Sequence, residues 1–169
     1  SVNDRIRHNS TTVIMEDHLE VGYNYRLTDI QAAVGIKQLE RLDWIIEERR
    51  KIAHKYQEAF KNIDFIRLPL EPKDYFTNWQ SYVLSLKPNS PIKRNDLMQL
   101  LLDKGISTRR GVMTTHRESA YKNHKLVSPL PVSENACDNS IVLPLYVPMS
   151  NEEIEYVIDN ILSILGIKK

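Results

Sequence analysis

The chain has 169 residues, with 23 Lys and Arg against 22 Asp and Glu, and its formal net charge is +1. This length favours one domain with its own core, and the balanced charge gives no support to a surface for nucleic acid or anionic membranes. Cys137 is the only cysteine of the sequence, which excludes an intrachain disulfide and a cysteine metal cluster. The N-terminus carries no signal-peptide core, and no apolar stretch approaches the ~20 residues that span a bilayer, so we expect a soluble cytoplasmic protein.

The first predicted helix begins at Thr28, which can form a capping box with Gln31 three residues later. Apolar residues then recur at helical spacing as far as Phe60. If it is unbroken to about residue 61, this helix extends roughly 50 Å at about 1.5 Å per residue. The alternative is a pair of helices that bend near Gly35.

Two strands and a second helix are predicted next. Residues 65–68 form a short strand candidate, and residues 79–86 predict a strand with Tyr82, Leu84 and Leu86 on one face. Residues 93–104 predict a helix that Gly105 stops. We expect residues 106–108 to begin a further strand.

No period dominates residues 109–130, which we interpret as the functional loop. Residues 131–139 predict a short helix, and residues 141–143 a brief strand before Pro144. A second capping box, Ser150 with Glu153, begins a final helix whose apolar stripe extends to Gly166. This order of elements predicts an α+β two-layer sandwich with a largely antiparallel sheet.

Two groups of residues are candidates for anion binding. Asn24 and Arg26 stand between aromatic residues just before a helix N-terminus, where amide and guanidinium donors favour a negatively charged ligand. Arg109, Arg110 and Arg117 share a loop with His116 and several hydroxyl side chains, a set that could bind a pyrophosphate or a sugar. The alternatives are a turn-forming Asn with a surface Arg, and an ordinary solvated basic loop.

Other chemistries find little support. The histidines lack the spacing of metal ligands, so we expect structural or solvent-facing roles and no metal site for His8, His18, His54, His116 and His124. Cys137 stands beside Asp138 without an obvious base, which favours a packing role over a nucleophile. The five glycines are scattered and form no phosphate-binding loop.

Several segments together resemble the DegT/DnrJ/EryC1 family of pyridoxal-phosphate-dependent nucleotide-sugar aminotransferases. The most specific is Gly-Tyr-Asn-Tyr-Arg-Leu-Thr-Asp-Ile-Gln-Ala-Ala at residues 22–33. Asn-Trp-Gln-Ser-Tyr at residues 78–82 and Gly-Ile-Ser-Thr-Arg-Arg-Gly at residues 105–111 extend the resemblance over nearly all of the chain. The Thr-Arg-Arg-Gly part is similar to perosamine-synthase-type members.

The resemblance implies a fold and roles for matching residues. The fold would be the C-terminal small domain of a type I aminotransferase, with a long interface helix before it. Asn24 would reach the cofactor phosphate of the neighbouring subunit, and Arg26 would line the same shared active site of a homodimer. Arg109, Arg110 and His116 would approach the nucleotide-sugar substrate.

One departure from the family limits these expectations. The family lysine that holds pyridoxal phosphate lies upstream of an Arg-x-His-Gly element, which residues 7–9 only approximate, and Lys37 and Lys51 lack its sequence context. We therefore expect residues 1–27 to be a residual active-site and linker segment and residues 28–169 to be the small domain. The parent enzyme would take an amino donor, and this chain alone would be inactive and hold no cofactor stably without the missing N-terminal domain.

Two alternatives remain at this point. The chain could be a non-catalytic dimerisation or interaction module that pairs with a separate cofactor-binding domain, because severing a large domain exposes an apolar patch. It could also be a small-anion binder unrelated to transamination.

Overall fold

A computed structural model of the chain describes residues 9–12, 21–23, 25–121, 123 and 128–167. The chain divides into two compact units, Ser1–Glu40 and Arg41–Lys169. None of the helices within the described ranges has the length and apolarity that crossing a bilayer requires.

Helix α1, Asp29–Leu39, belongs to the first unit and begins with the predicted capping box. The Thr28 hydroxyl accepts from the Gln31 backbone N–H at 3.3 Å, and the Gln31 side-chain oxygen accepts from the Thr28 N–H at 3.1 Å. The helix buries none of its residues. Its start is therefore fixed by local hydrogen bonds.

The prediction of one unbroken helix to residue 61 is wrong, because α1 ends at Leu39 and helix α2 spans Leu42–Phe60. The alternative of two helices gives the right number, but the break lies at Glu40–Arg41 and not near Gly35. Arg41, with φ −99° and ψ −4°, stays in the right-handed helical region but departs from the mean α-helical angles of about −63° and −42°. No side chain of α1 is buried, so no packing holds the chain to a continuous helix across these charged residues.

The described residues of the second unit form a four-stranded antiparallel sheet in the order β1-β2-β4-β3. The strands are β1 (Ile66–Arg67), β2 (Tyr82–Leu86), β3 (Arg109–Arg110) and β4 (Ser140–Leu143). In β2 and β4, Tyr82 lies opposite Leu143 and Leu84 opposite Ile141. The antiparallel pairing and the shared face of Tyr82, Leu84 and Leu86 confirm the prediction.

The strand predicted at residues 106–108 is displaced to Arg109–Arg110. Ile106 is instead part of the helix stop, because its N–H donates to the Leu101 carbonyl at 2.9 Å across Gly105, whose φ is +75°. The Ile106 side chain is then buried in the core. A helix C-cap therefore occupies the first residues of the expected strand.

Three further helices complete the unit: α3 (Arg94–Asp103), α4 (Pro131–Asn139) and α5 (Asn151–Ile164). All three confirm the sequence prediction, and α5 carries the second capping box. One face of the sheet and the apolar sides of α2, α3 and α5 form a common core. Two 3₁₀ turns, Thr115–Arg117 and Ser119–Tyr121, lie in the predicted functional loop.

Candidate functional site

A large open groove lies in the second unit, next to β3 and the N-terminus of α5, with a volume of about 1270 Å³. It is bounded by the β2 start, by the segment from the α3 stop through β3, and by the segment from β4 into α5. The lining residues are Gln80, Ser81, residues 105–110, Met113, residues 142–146, Met149, Glu152, Glu153, Tyr156 and Val157.

The basic side of the groove is the edge strand β3. Arg109 and Arg110 line the groove and are both exposed, and they lie opposite Val142 and Ile141 of β4. The Arg110 guanidinium is 3.9 Å from the Glu118 carboxylate, with both side chains about half exposed. The structure therefore brings two of the sequence-predicted site residues to one cavity.

The glycine after these arginines is required by close packing. A Cβ added at Gly111 would lie 2.5 Å from the Ser140 Oγ and 2.6 Å from a Val83 methyl carbon. The Gly111 N–H donates to the Ser140 carbonyl at 3.2 Å, and the buried Arg94 donates to the same oxygen at 3.3 Å. The last position of the Thr-Arg-Arg-Gly motif thus requires glycine, because a side chain there would collide with Ser140 and Val83.

Gln80 and Ser81 reach the groove from a strained backbone that sequence reasoning did not assign to the site. Trp79 has φ +47°, a conformation that costs a non-glycine residue about 1–2 kcal/mol. Its ring is buried and stacked on Tyr82, with centroids 5.7 Å apart. The Asn78 side-chain oxygen accepts from the Gln80 N–H at 3.1 Å, which supports the turn.

A partly buried ion pair between Arg50 and Glu71 holds the segment before this turn. Arg50 of α2 donates to both carboxylate oxygens of Glu71, at 2.7 and 2.9 Å, and to the Thr77 carbonyl at 2.7 Å. Glu71 also accepts from the Thr77 N–H at 2.6 Å. The hydrogen bond from Arg50, with that from Thr77, lowers the pKa of Glu71 to about 2. The strained turn is therefore anchored from outside the groove.

The groove lining also carries carboxylates. At the N-terminus of α5, hydrogen bonds from its own backbone N–H and from Ser150 lower the pKa of Glu152. The Ser150 backbone N–H and the Tyr146 hydroxyl lower the pKa of Glu153. The same Glu153 contact raises the pKa of Tyr146, which keeps that hydroxyl protonated as a donor. The groove lining is thus basic at β3 and acidic at the start of α5.

The model of the DegT/DnrJ/EryC1/StrS aminotransferase family matches residues 3–162 of the chain. This chain belongs to that family. The resemblance carried by the residue 22–33 and 105–111 segments is thereby confirmed.

Solved aminotransferase structures share the fold over most of this chain. A family member from Brucella abortus is 30% identical, with a TM-score of 0.77, over 90% of this chain and 40% of that one. The aminotransferase TlmJ from Streptoalloteichus hindustanus is 26% identical, with a TM-score of 0.77, over 89% and 40%. The sugar aminotransferase CalS13 from Micromonospora echinospora, 24% identical with a TM-score of 0.73 over 84% and 37%, shows the fold alone. The chain thus spans about 40% of the length of the first two structures.

In this DegT/DnrJ/EryC1/StrS chain, His116 contacts Glu134 and is not part of the groove lining. Its Nε2 lies 3.0 Å from the Glu134 carboxylate of α4, and its side chain is largely buried. It stands seven residues after Arg109 in sequence, but it does not line the cavity that Arg109 lines. Its direct contact with a substrate remains a prediction.

The predicted cofactor-phosphate residues belong to the first unit. Asn24 lies outside the described residues, and Arg26 is an exposed residue of the first unit. Within the described ranges, no three His, Cys, Asp or Glu side chains converge as metal ligands. His8, His18 and His124 lie outside those ranges.

Proposed function

We propose that this chain is the C-terminal part of a cytoplasmic, pyridoxal-phosphate-dependent aminotransferase that acts on a keto-sugar nucleotide in amino-sugar biosynthesis for surface polysaccharide. Membership of the aminotransferase family supports the reaction class. The observation that carries the substrate class is the groove lined by two arginines of β3 and two carboxylates at the start of α5.

The charged groups of the groove lining suit the two parts of such a substrate. Arg109 and Arg110 provide planar guanidinium donors that match diphosphate oxygens. Glu152 and Glu153 are acceptors suited to sugar hydroxyls, and Gln80 with Ser81 can both donate and accept. A volume of about 1270 Å³ exceeds the usual several hundred Å³ of a small-molecule pocket, which leaves room for an elongated ligand.

The described residues do not by themselves fit pyridoxal phosphate. The cofactor needs a lysine whose desolvated amine forms a Schiff base, together with groups that hold its phosphate. Every lysine of the described ranges is exposed except Lys55, which is half-buried and donates to the Asn151 side chain at 2.7 Å. We therefore propose that the isolated chain is inactive and that Asn24 and Arg26 serve a site completed by a cofactor-binding domain and a second subunit.

Nucleoside diphosphate binding tests the substrate class directly on this chain. We expect uridine or guanosine diphosphate, titrated by calorimetry, to bind the groove, and Arg109→Ala to weaken binding by about tenfold or more, since a charge-assisted hydrogen bond is lost. Arg67→Ala is the matched control, because Arg67 is also an exposed strand arginine but lies in β1 at the opposite edge of the sheet. Absence of binding, or equal losses in both variants, would contradict the proposal.

Cofactor trapping tests the proposed inactivity. We expect borohydride treatment with pyridoxal phosphate to label no single lysine stoichiometrically, as judged by peptide mass spectrometry. Stoichiometric labelling of one lysine would show that this chain holds the cofactor itself.

The apolar surface of the first unit favours one alternative function, a non-catalytic dimerisation or interaction module. Large apolar side chains of α1 are exposed, among them Ile30 at 80% and Leu39 at 68%. Exposed apolar surface of this kind marks sites of protein association. A module of this class would self-associate without binding nucleoside diphosphate, which separates it from the leading proposal.

A further inference from the structure

Three consecutive residues after the groove arginines each pair with a different partner. His116 Nε2 lies 3.0 Å from Glu134 and Arg117 donates to Asp138 at 2.8 Å, both on α4. Glu118 lies 3.9 Å from the Arg110 guanidinium of β3. We call residues 116–118 the clasp.

The clasp grips one face of α4 at two points. Glu134 and Asp138 are four residues apart in the helix, so their side chains lie on the same face one turn apart. The hydrogen bond with Asp138 raises the pKa of Arg117. Two successive residues of a 3₁₀ turn thus meet two successive turns of an α-helix.

The clasp and the helix that it contacts each adjoin a buried residue. Thr114, which precedes the turn, is buried, and its carbonyl accepts from the Arg117 N–H at 3.0 Å. Cys137 lies between Glu134 and Asp138 in the sequence of α4, and its side chain is buried. Glu118 is therefore held at a defined place relative to the sheet, and Arg110 is the β3 side chain that it reaches.

We propose that His116 and Arg117 are positioning residues that act through Glu118 to orient Arg110 at the rim of the groove. None of the three clasp residues lines the groove, so their effect on a ligand passes through Arg110. An arginine held in its binding orientation loses less side-chain entropy when it takes an anion. This inference rests on the proposed function only in taking the groove ligand to be an anion.

Two single substitutions, one on each side of the Arg117–Asp138 ion pair, distinguish a positioning role from an effect of net charge on anion binding. Arg117→Gln removes a positive charge and Asp138→Asn removes a negative one, yet both break the same ion pair. With inorganic pyrophosphate as the probe, we expect both to weaken binding by about threefold to fivefold, the upper part of the range of an exposed ion pair. Long-range charge alone would weaken binding in the first variant and strengthen it in the second, and that result would overturn the proposal.

A charge swap provides the rescue. R117D/D138R keeps the net charge of the chain and re-forms the pair with its polarity reversed, so we expect binding to return to within about twofold of the original. Failure of the swap to restore binding, in a variant whose unfolding midpoint matches the original, would also overturn the proposal.

The NMR signal of the Arg110 side-chain Nε–Hε keeps the proposal testable without any ligand. We expect that signal in the ligand-free protein to shift toward a solvent-exposed, motionally averaged position in both single variants and to return in the swap. An unchanged Arg110 signal in the single variants would reject the clasp whatever the binding data show. Two results would separate the clasp from the proposed anion site. If Arg110→Ala leaves pyrophosphate binding unaltered, while the Arg110 signal shifts as expected in the Arg117→Gln and Asp138→Asn variants, the proposed anion site is rejected and the clasp is supported.

Discussion

Two buried tyrosines in the second unit differ in what their hydroxyl groups contact. The Tyr56 hydroxyl donates to the Pro144 carbonyl at 2.8 Å, whereas the Tyr82 hydroxyl has no hydrogen-bond partner among the described residues. Burial raises the pKa of both phenols. The rings lie 5.1 Å apart in one core, so they form a matched pair that differs in one hydrogen bond.

Removing each hydroxyl should therefore have different effects. We expect Tyr56→Phe to lower the free energy of unfolding by about 1 kcal/mol, and Tyr82→Phe to leave it unchanged or raise it, because a buried unpaired hydroxyl is a cost. Urea denaturation followed by circular dichroism measures both values. An equal loss in the two variants would show that Tyr82 has a partner of similar strength.

The Arg50–Glu71 pair predicts an acid-dependent stability. The pKa of Glu71 is about 2 in the folded chain and about 4.3 in an unfolded one, so the pair stabilises fully above the higher value. That stabilisation is lost as the pH falls toward about 2. We expect Glu71→Gln to be less stable than the original chain at pH 7, with the difference shrinking between about pH 5 and pH 2.

Urea unfolding at pH 7, 4 and 3 measures this difference. Glu47→Gln is a suitable control, because Glu47 forms only an exposed pair with Lys51, and such pairs contribute little. A Glu71→Gln penalty that stays constant with pH would contradict the assignment.

At the scale of elements, the two capping boxes have the same local chemistry but different surroundings. Thr28 with Gln31 begins α1, which buries none of its residues, and Ser150 with Glu153 begins α5, which buries five. The α5 apolar side chains belong to the common core of the second unit. The consequence of losing a cap should therefore depend on whether the helix is part of that core.

We expect Ser150→Ala to lower the free energy of unfolding of the second unit by about 1 kcal/mol. Thr28→Ala should leave that transition unchanged, since α1 contributes no buried side chain to it. Trp79 fluorescence in a Trp44→Phe background reports the second-unit core, because Trp79 is 7% exposed and stacks on Tyr82. A shift of this transition in Thr28→Ala would show that α1 stabilises the second unit.

At the scale of the whole molecule, the exposed apolar surface of the first unit predicts self-association. Ile30 and Val34 are four residues apart on α1 and are 80% and 58% exposed. A homodimer would remove these side chains from water, at roughly 25 cal/mol per Å² of apolar surface buried. We expect the chain to sediment as a dimer and Val34→Asp to shift it to monomer.

Val132→Asp is the matched control for this experiment, because Val132 is an exposed valine of α4 in the second unit, at 82%. Sedimentation velocity over a range of concentrations would distinguish the variants. A concentration-independent monomer, or equal dissociation by both aspartates, would reject self-association through α1.

The sequence determined the features that depend on residues a few positions apart. Both capping boxes, the alternation of Tyr82, Leu84 and Leu86, and the helix stop at Gly105 follow from local hydrogen bonding and side-chain direction. The sequence predicts these features correctly because each depends only on neighbouring residues. The arginines of the site were also identified, because they lie together in one short motif.

The tertiary structure decided the features that depend on packing between distant segments. Gln80 and Ser81 meet Arg109 in one groove because β4 pairs with both β2 and β3, a relation that no spacing along the chain encodes. The helix break at Glu40–Arg41 lies instead where buried contacts are absent, since they begin only at Ile52 of α2. Periodicity shows which residues an element can bury, and only the folded chain determines which of them are buried together.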